Sequence, residues 1–574
     1  MKRLLLLITV IGFGNYSASA QLTSFEKSDG KESADYFEAI NWYKSLSKKS
    51  SEIKIIEMGT TDAGYPLHLI LISHDRTFNP AQWHSKKKVV ILINNGIHAG
   101  EPDGIDANMM LTRDIINKKI ILPDNVTVAI IPVYNIGGCL NRNNTSRVNQ
   151  NGPNEYGFRG NSQNLDLNRD FTKNDSRESK SFAAIFHYLN PDIFIDNHVS
   201  DGADYQHTMT LLTTQYDKLE DNLGSWLKDI FEPSIYTNMS KKGWDLIPYV
   251  DFEFTNLDDG MNMFYDPPRY SSGYAALFNT LSFVPETHML KPYKQRVKST
   301  YDLMISFIEE AHLHASEIIQ KRKEANEKGL IKKQISLKWL PQQTKFKEII
   351  FKGYEKDSSL SEATGLQKYF FNHNKPFTRK IKFYNHFQAV DNVELPTAYI
   401  IPYGWQDVIE RLKINGVKLE QLKKDSLINV TAYHIESYKS SARPYEKHHK
   451  NYEVKTSSSS IYLKFLKGDY IIKMNQSANR YLAEMLEPNG DDSFFAWNFF
   501  DGILQQKEGY SDYRWEDIAA EVLKKDSLLR EKLENKKKTD SAFAIDASQI
   551  LDFIYKNSPY YEKVHMRYPV FRIE

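Results

Sequence analysis

Val89-Val90-Ile91-Leu92-Ile93 runs straight into Asn94-Asn95-Gly96-Ile97-His98-Ala99-Gly100-Glu101-Pro102, and this junction decides the fold. Five apolar residues without polar alternation read as a strand buried on both faces. A polar, Gly-bearing turn follows, and Pro102 to Lys118 predicts a helix with proline in its first turn. Working outward, Val126 to Val133 predicts a second strand. The helix-like Arg177 to Tyr188 leads to a third, Asp192 to Asp196, and Leu281 to Val284 predicts a fourth. Strands alternating with amphipathic helices from about Ala34 onward are the pattern of an α/β domain.

The chain has 574 residues, 41% of them hydrophobic, with 34 Tyr and 31 Phe. A single core stops growing beyond about 250 to 300 residues, so two folded units are expected. Lys and Arg number 74 against 73 Asp and Glu, a net charge of +1, and the basic runs Lys86–Lys88 and Lys536–Lys538 are short. That balance gives no footprint for nucleic acid. Cys139 is the one cysteine, which excludes an internal disulfide framework and cysteine-based metal sites. Any metal must sit on histidine and carboxylate.

Lys2 and Arg3, the apolar stretch Leu4 to Phe13 and the small-residue end Ala18-Ser19-Ala20 read as a cleavable secretory signal over residues 1–20. No stretch reaches the roughly 20 apolar residues of a transmembrane helix. A secreted or periplasmic protein, cut near Ala20, is the expectation. Residues 21–330 form the first unit, ending in a charged helix from Val297 to about Lys328. Residues 340–574 form a smaller α+β accessory domain. Its strand-like runs are Lys380–Phe383, Ala398–Ile401, Asn429–Ile435, Tyr462–Leu466 and Tyr470–Met474, with a loop at Ser457–Ser460 and helices over Trp515–Lys536 and Ala547–Asn557. The aromatic run Phe494 to Phe500 is expected to be core or interdomain packing.

The chemistry gathers at strand ends, where open α/β sheets place their ligands. His98 and Glu101 lie three apart in the turn after the first strand, and Phe194-Ile195-Asp196-Asn197-His198 ends a strand in a second histidine. Two His and one Glu make the open three-ligand set of a catalytic zinc, with a fourth position left for water. Glu286, in Phe283-Val284-Pro285-Glu286-Thr287-His288, brings a second carboxylate to the same crevice, where a general base is needed. His207 and His288 lie near these residues and are expected to be structural.

Between the metal candidates stands Asn164-Leu165-Asp166-Leu167-Asn168-Arg169-Asp170-Phe171. His-x-x-Glu, this Asp-x-Asn-Arg, a strand-end His and a strand-end Glu recur in the order found in the zinc carboxypeptidases of the carboxypeptidase A and B type, and residues 50 to 310 resemble that family. The resemblance implies a mixed, mostly parallel open sheet flanked by helices and one zinc ion on His98, Glu101 and His198. It implies that Asp166 fixes the tautomer of His98, that Asn168 and Arg169 grip the terminal carboxylate of a peptide substrate, and that Glu286 acts as general base. Arg147 resembles the family's oxyanion-supporting arginine, with Arg142 as competitor, although Gln150 departs from the common Arg-x-Asn-Arg pattern. Tyr270, with Tyr265 and Tyr274 as neighbours, matches the tyrosine that covers the substrate's terminal side chain.

The implied activity is metallocarboxypeptidase cleavage of C-terminal amide bonds. Zinc-dependent hydrolysis of murein peptides or acyl-amino acids, and a non-catalytic binding protein on the same fold, are the alternatives. Asp251, Glu253, Asp258 and Asp259 could favour a basic terminal residue. The second unit, with its Tyr568 to Arg572 ending, resembles extensions on some exported bacterial carboxypeptidase-like proteins. Oligomeric state is left open.

Overall fold

The computed structural model describes residues 21–249 and 257–574; the expected signal segment 1–20 and the acidic Asp251 and Glu253 lie outside them. In the first unit the strands are β1 (Ile53–Thr60), β2 (Pro66–Ile72), β3 (Val89–Asn95), β4 (Val126–Ile131), β5 (Ile193–Ser200), β6 (Met209–Thr213), β7 (Ile247–Pro248), β8 (Met261–Asn262) and β9 (Leu281–His288). Eight of them form one sheet in the order β1-β2-β4-β3-β5-β9-β6-β7. The four central strands β4, β3, β5 and β9 run parallel, while β1, β2 and β6 join antiparallel.

Burial on both faces explains the unbroken apolar runs. Val89, Ile91 and Ile93 belong to the core beneath the Tyr36–Ser47, Asp103–Ile116 and Tyr293–Leu313 helices. Val90 and Leu92 face the opposite core with Phe182, Phe186 and Tyr274 from the helices Arg177–Leu189 and Ser271–Ala276. Each such side chain contributes roughly 1.5–3 kcal/mol when fully buried. Pro102 takes the N-cap rather than the first helical turn, because the loop carrying Glu101 still has non-helical geometry there.

The second unit contains β10 (Gln334–Pro341), β11 (Lys347–Leu360), β12 (Gln367–Tyr384), β13 (Phe387–Glu394), β14 (Ala398–Ile401), β15 (Glu420–Gln421), β16 (Ser426–Ser440), β17 (Asn451–Phe465), β18 (Tyr470–Lys473) and β19 (Phe571–Ile573). Phe351, Ile381, Phe383 and Phe387 join the first core, so a cut between 330 and 340 would run through that core. The charged helix is two helices, Tyr293–Leu313 and Ala315–Ile331, broken at His314. The second packs across both units: Ile318 and Ala325 enter the first core, and Asn479 donates to Gly329 O at 3.1 Å.

A six-stranded sheet, ordered β15-β18-β14-β19-β16-β17, carries the second core. Phe494, Phe495, Trp497 and Phe500 are fully buried, as packing residues should be. Ser457–Ser460, expected as a loop, lies within β17 opposite Thr431–His434 of β16. Backbone pairing along a long hairpin outweighs the poor strand preference of serine. The β16–β17 hairpin meets the rest of its sheet through β19.

Candidate metal centre and cleft

The carboxyl ends of β3 and β5 are tied together by buried amides. Asn94 donates to Asp196 Oδ1 at 2.9 Å, while Asn95 Oδ1 accepts from both Asn108 and Asn197, at 3.0 and 2.9 Å. Gly96 turns the chain with φ +65°, a conformation that favours glycine. Gly100 is equally constrained, because a Cβ there would meet Arg147 Cδ at 2.7 Å and Gly157 O at 2.9 Å. These constraints deliver His98 and Glu101 to the mouth of the sheet beside His198 on β5.

One ligand atom from each of His98, Glu101 and His198 lies within 4.8 Å of the others, and all three residues are buried. Nδ1 of His98 is 3.1 Å from Glu101 Oε1, and Nδ1 of His198 is 3.2 Å from Glu101 Oε2. The other ring nitrogens face carboxylates as well: Asp166 Oδ1 at 3.0 Å from His98 Nε2, and Asp196 Oδ2 at 3.0 Å from His198 Nε2. An ionised carboxylate only accepts, so each ring has acceptors at both nitrogens. That arrangement calls for an imidazolium or for a cation between Nδ1 and Glu101. In agreement, burial works against charge on His198, yet Asp196 and Glu101 raise its pKa well above the ordinary value. With Nε2–H donated outward, both Nδ1 lone pairs turn to the common point. The donor set fits one metal ion.

The two carboxylates are held ionised. Burial opposes the charge of Glu101, but His98, Arg147 and His198 keep its pKa well below the usual range. Burial likewise opposes the charge of Asp166, and His98, Arg159 and Arg169 hold it low. Glu286 behaves oppositely. Burial, with Glu101 adding to it against the pull of His198, pushes its carboxyl up to about 8. Glu286 stands opposite His198 in the β5–β9 register, and both line one cleft of about 450 Å³.

The same cleft is lined by Asn168, Arg169 and Tyr270. Asp166 Oδ1 accepts from the Asn168 amide at 2.9 Å, and Asn168 Oδ1 is buried without a partner among the described residues. The Arg169 guanidinium lies over the Tyr270 ring, 4.4 Å from its centroid. Neighbouring tyrosines go elsewhere: Tyr274 is buried against His187 and Asn415, and Tyr265 lies beneath Lys218. His207 and His288 are structural clips, bonded to the backbone of Asp245 and Lys352 and of Ala203 and Leu290. Asp258 and Asp259 are not among the described residues lining the cleft, although Asp201 is.

Arg147 is not among the described residues lining the cleft. Its Nε donates to Gln150 at 2.6 Å, Nη1 to Glu101 Oε1 at 2.8 Å and Nη2 to Val199 O at 3.0 Å. It therefore braces the ligand Glu101 from behind. Gln150, the departure from the common pattern, completes that brace by donating to Gly100 O at 2.9 Å. Arg142 is also turned away, onto Ser33 and Glu155 O. The cleft arginine beside the metal donors is Arg159, which grips Asp166 Oδ2 through Nε and Nη2 at 3.1 and 2.7 Å and brings Nη1 within 3.4 Å of His98 Nδ1. Its side chain is 46% exposed. Arg159 and Asp196 are thus site residues that the sequence reasoning left unassigned; their signals were an Arg seven residues before Asp166 and a carboxylate two residues before the strand-end His.

Residues 39–192 match the zinc carboxypeptidase family model Peptidase_M14. That stretch, roughly a quarter of the chain, is similar to the zinc carboxypeptidases. The family uses one zinc ion, and the buried His98, Glu101 and His198 form a group able to hold a metal ion. Carboxypeptidase 2 of Trichophyton tonsurans is 32% identical over 107 residues, 19% of this chain and 20% of that protein, and Carboxypeptidase 2 of Trichophyton equinum matches equally. The match therefore spans about a fifth of these relatives' length. Among solved structures, a metallo-carboxypeptidase from Burkholderia cenocepacia is 15% identical with a TM-score of 0.36, covering 49% of this chain and 70% of its own. Carboxypeptidase A from Helicoverpa armigera is 14% identical with a TM-score of 0.38, covering 50% and 74%. The first unit and the unit that follows it differ in sheet architecture, and no described helix is long and apolar enough to cross a membrane.

Proposed function

We propose that this chain is an exported metallocarboxypeptidase that removes residues from the carboxyl end of peptides. The observation that carries the reading is one cleft in which a buried His98–Glu101–His198 donor set, the Glu286 carboxylate and the Asn168–Arg169 pair all meet. When bound, zinc supplies a Lewis acid that polarises the scissile carbonyl and lowers the pKa of its water towards about 7. Glu286 takes the proton of the attacking water and passes it to the leaving amine. Its raised pKa, about 8 without a metal, suits a group that must both hold and release a proton; a divalent cation beside it draws that value down.

Arg159, rather than Arg147, supports the charge that develops on the carbonyl oxygen, because its Nη1 reaches towards His98 while Asp166 anchors its other edge. Arg169 holds the terminal carboxylate with Asn168 beside it, and Tyr270 closes over the terminal side chain. A charged anchor near the reacting carbonyl favours exopeptidase over internal cleavage. Export rests on the basic, apolar and small-residue sequence of residues 1–20.

The test is mass spectrometry of a defined peptide mixture incubated with zinc-loaded protein, with Glu286→Gln as control. Stepwise shortening from the carboxyl end by the wild type alone is the expected result. Internal cleavage, or equal trimming by the variant, would overturn the assignment.

A further inference from the structure

The turn that joins β16 to β17, residues 441–450, leaves its own sheet and docks on the first unit beside Arg169. Tyr445 and His448 exchange backbone bonds of 2.8 and 3.1 Å across it. Glu446 and Lys447 between them both have left-handed φ, +48° and +76°. Neither is glycine, so each conformation costs roughly 1 kcal/mol and persists because surrounding contacts impose it. Those contacts are specific. Glu446 Oε2 accepts from the Asp166 amide at 2.8 Å, His448 Nε2 meets Asp175 Oδ2 at 2.7 Å, and the Tyr445 ring lies nearly parallel to Trp497, at 13° with centroids 6.0 Å apart.

The Tyr445 hydroxyl so placed accepts from Arg169 Nε at 3.0 Å. On the far side of the guanidinium, Nη1 donates to Asn168 O at 2.8 Å, and the Tyr270 ring covers one face. Among the described residues no hydrogen bond reaches Nη2. A guanidinium offers a carboxylate two paired edges, Nε with Nη2 or Nη1 with Nη2. Tyr445 occupies the first and leaves the second, end-on edge to the cleft.

Resting on the carboxypeptidase reading above, we propose that Tyr445 is a positioning residue supplied by the second unit, which fixes the edge that Arg169 presents and so sets the preference for a free terminal carboxylate. The region 340–574 is then part of the substrate site. Without the phenol hydroxyl, Arg169 can turn about its side-chain torsions and present either edge. Recognition of the carboxylate weakens, while the zinc donors, none of which touches the turn, stay in place.

The experiment uses the full chain, zinc-loaded, with Glu286→Gln to stop turnover. Calorimetry compares one peptide as free acid and as terminal amide, with and without Tyr445→Phe. Affinity for the acid should fall roughly tenfold and affinity for the amide should hold, since a hydrogen bond to a charged group is lost and nothing else. Tyr445→Phe keeps the ring on Trp497, so an unchanged unfolding midpoint is expected. In the active background the same substitution should raise KM for free-acid peptides with kcat within about twofold. Glu446→Gln, which loosens the turn without touching Arg169, should move the acid preference the same way by less. If both variants keep the parent acid-to-amide ratio, the positioning role is wrong. If the Glu286→Gln parent binds acid and amide alike, the carboxypeptidase reading itself fails, and the role of Tyr445 with it.

Discussion

The metal pocket and the proposed carboxylate anchor share one cleft but are built in opposite ways. His98, Glu101 and His198 sit at the ends of paired strands, and each is held by a neighbour from the first unit: Asp166, Arg147 and Asp196. The anchor stands on the short turn Leu167–Arg169 and takes its remaining contacts from Tyr270 and from a hairpin some 280 positions further along. The pocket is a product of the sheet, whereas the anchor is a product of two units meeting. Rigid strand ends suit a metal that needs fixed donor geometry, and a loop interface suits recognition that differs between substrates.

This contrast can be broken by experiment. Glu286→Gln should leave both halves assembled yet lower kcat by roughly a thousandfold, within the range of general-base losses, with zinc content unchanged by elemental analysis. Loss of zinc in that variant would show that Glu286 belongs to the pocket itself. Arg169→Met should lower kcat/KM for free-acid peptides by roughly a hundredfold and leave zinc affinity alone. A fall in zinc affinity would join the two halves that the geometry separates. Asp196→Asn should act on the other side only, weakening zinc by roughly ten- to hundredfold in a competition titration while acid-to-amide preference persists.

The smallest effect concerns pH. A carboxyl whose folded pKa is raised binds more protons folded than unfolded, so stability falls as pH rises from the unfolded value, about 4.3, through the folded one. For Glu286 the folded value is about 8 in the metal-free protein. Between pH 5 and 8, metal-free Glu286→Gln should therefore gain on metal-free wild type by roughly a few °C in unfolding midpoint. A constant gap would mean that Glu286 is not desolvated, and zinc loading should shrink the trend.

The same contrast explains what the sequence disclosed. Strands β3, β5 and β9 were legible because burial on both faces leaves unbroken apolar runs, and their ends carry His98, His198 and Glu286. Local motifs therefore sufficed for the pocket. The sequence pattern favours Arg147 over Arg142 and says nothing of Arg159, because all three lie in an irregular stretch where direction depends on partners such as Gln150 and Asp166 rather than on any period. Ser457–Ser460 read as a loop because strand pairing is a long-range property, absent from the four residues themselves. Helix breaks at His314 and Asp526 were missed since neither carries glycine or proline to mark them. Tyr445 left no local signal at all: its meaning comes from Arg169, on another unit.

The hairpin that bears Tyr445 reaches its sheet through β19, residues 571–573. During synthesis, every donor of the zinc pocket has left the ribosome long before that strand exists. The nascent chain can thus acquire its metal site early, but it cannot seat the hairpin in its sheet until residues 571–573 are made. Assembly of the proposed substrate anchor therefore waits for β19, which separates in time the moment the chain can hold an ion from the moment Arg169 gains its Tyr445 contact.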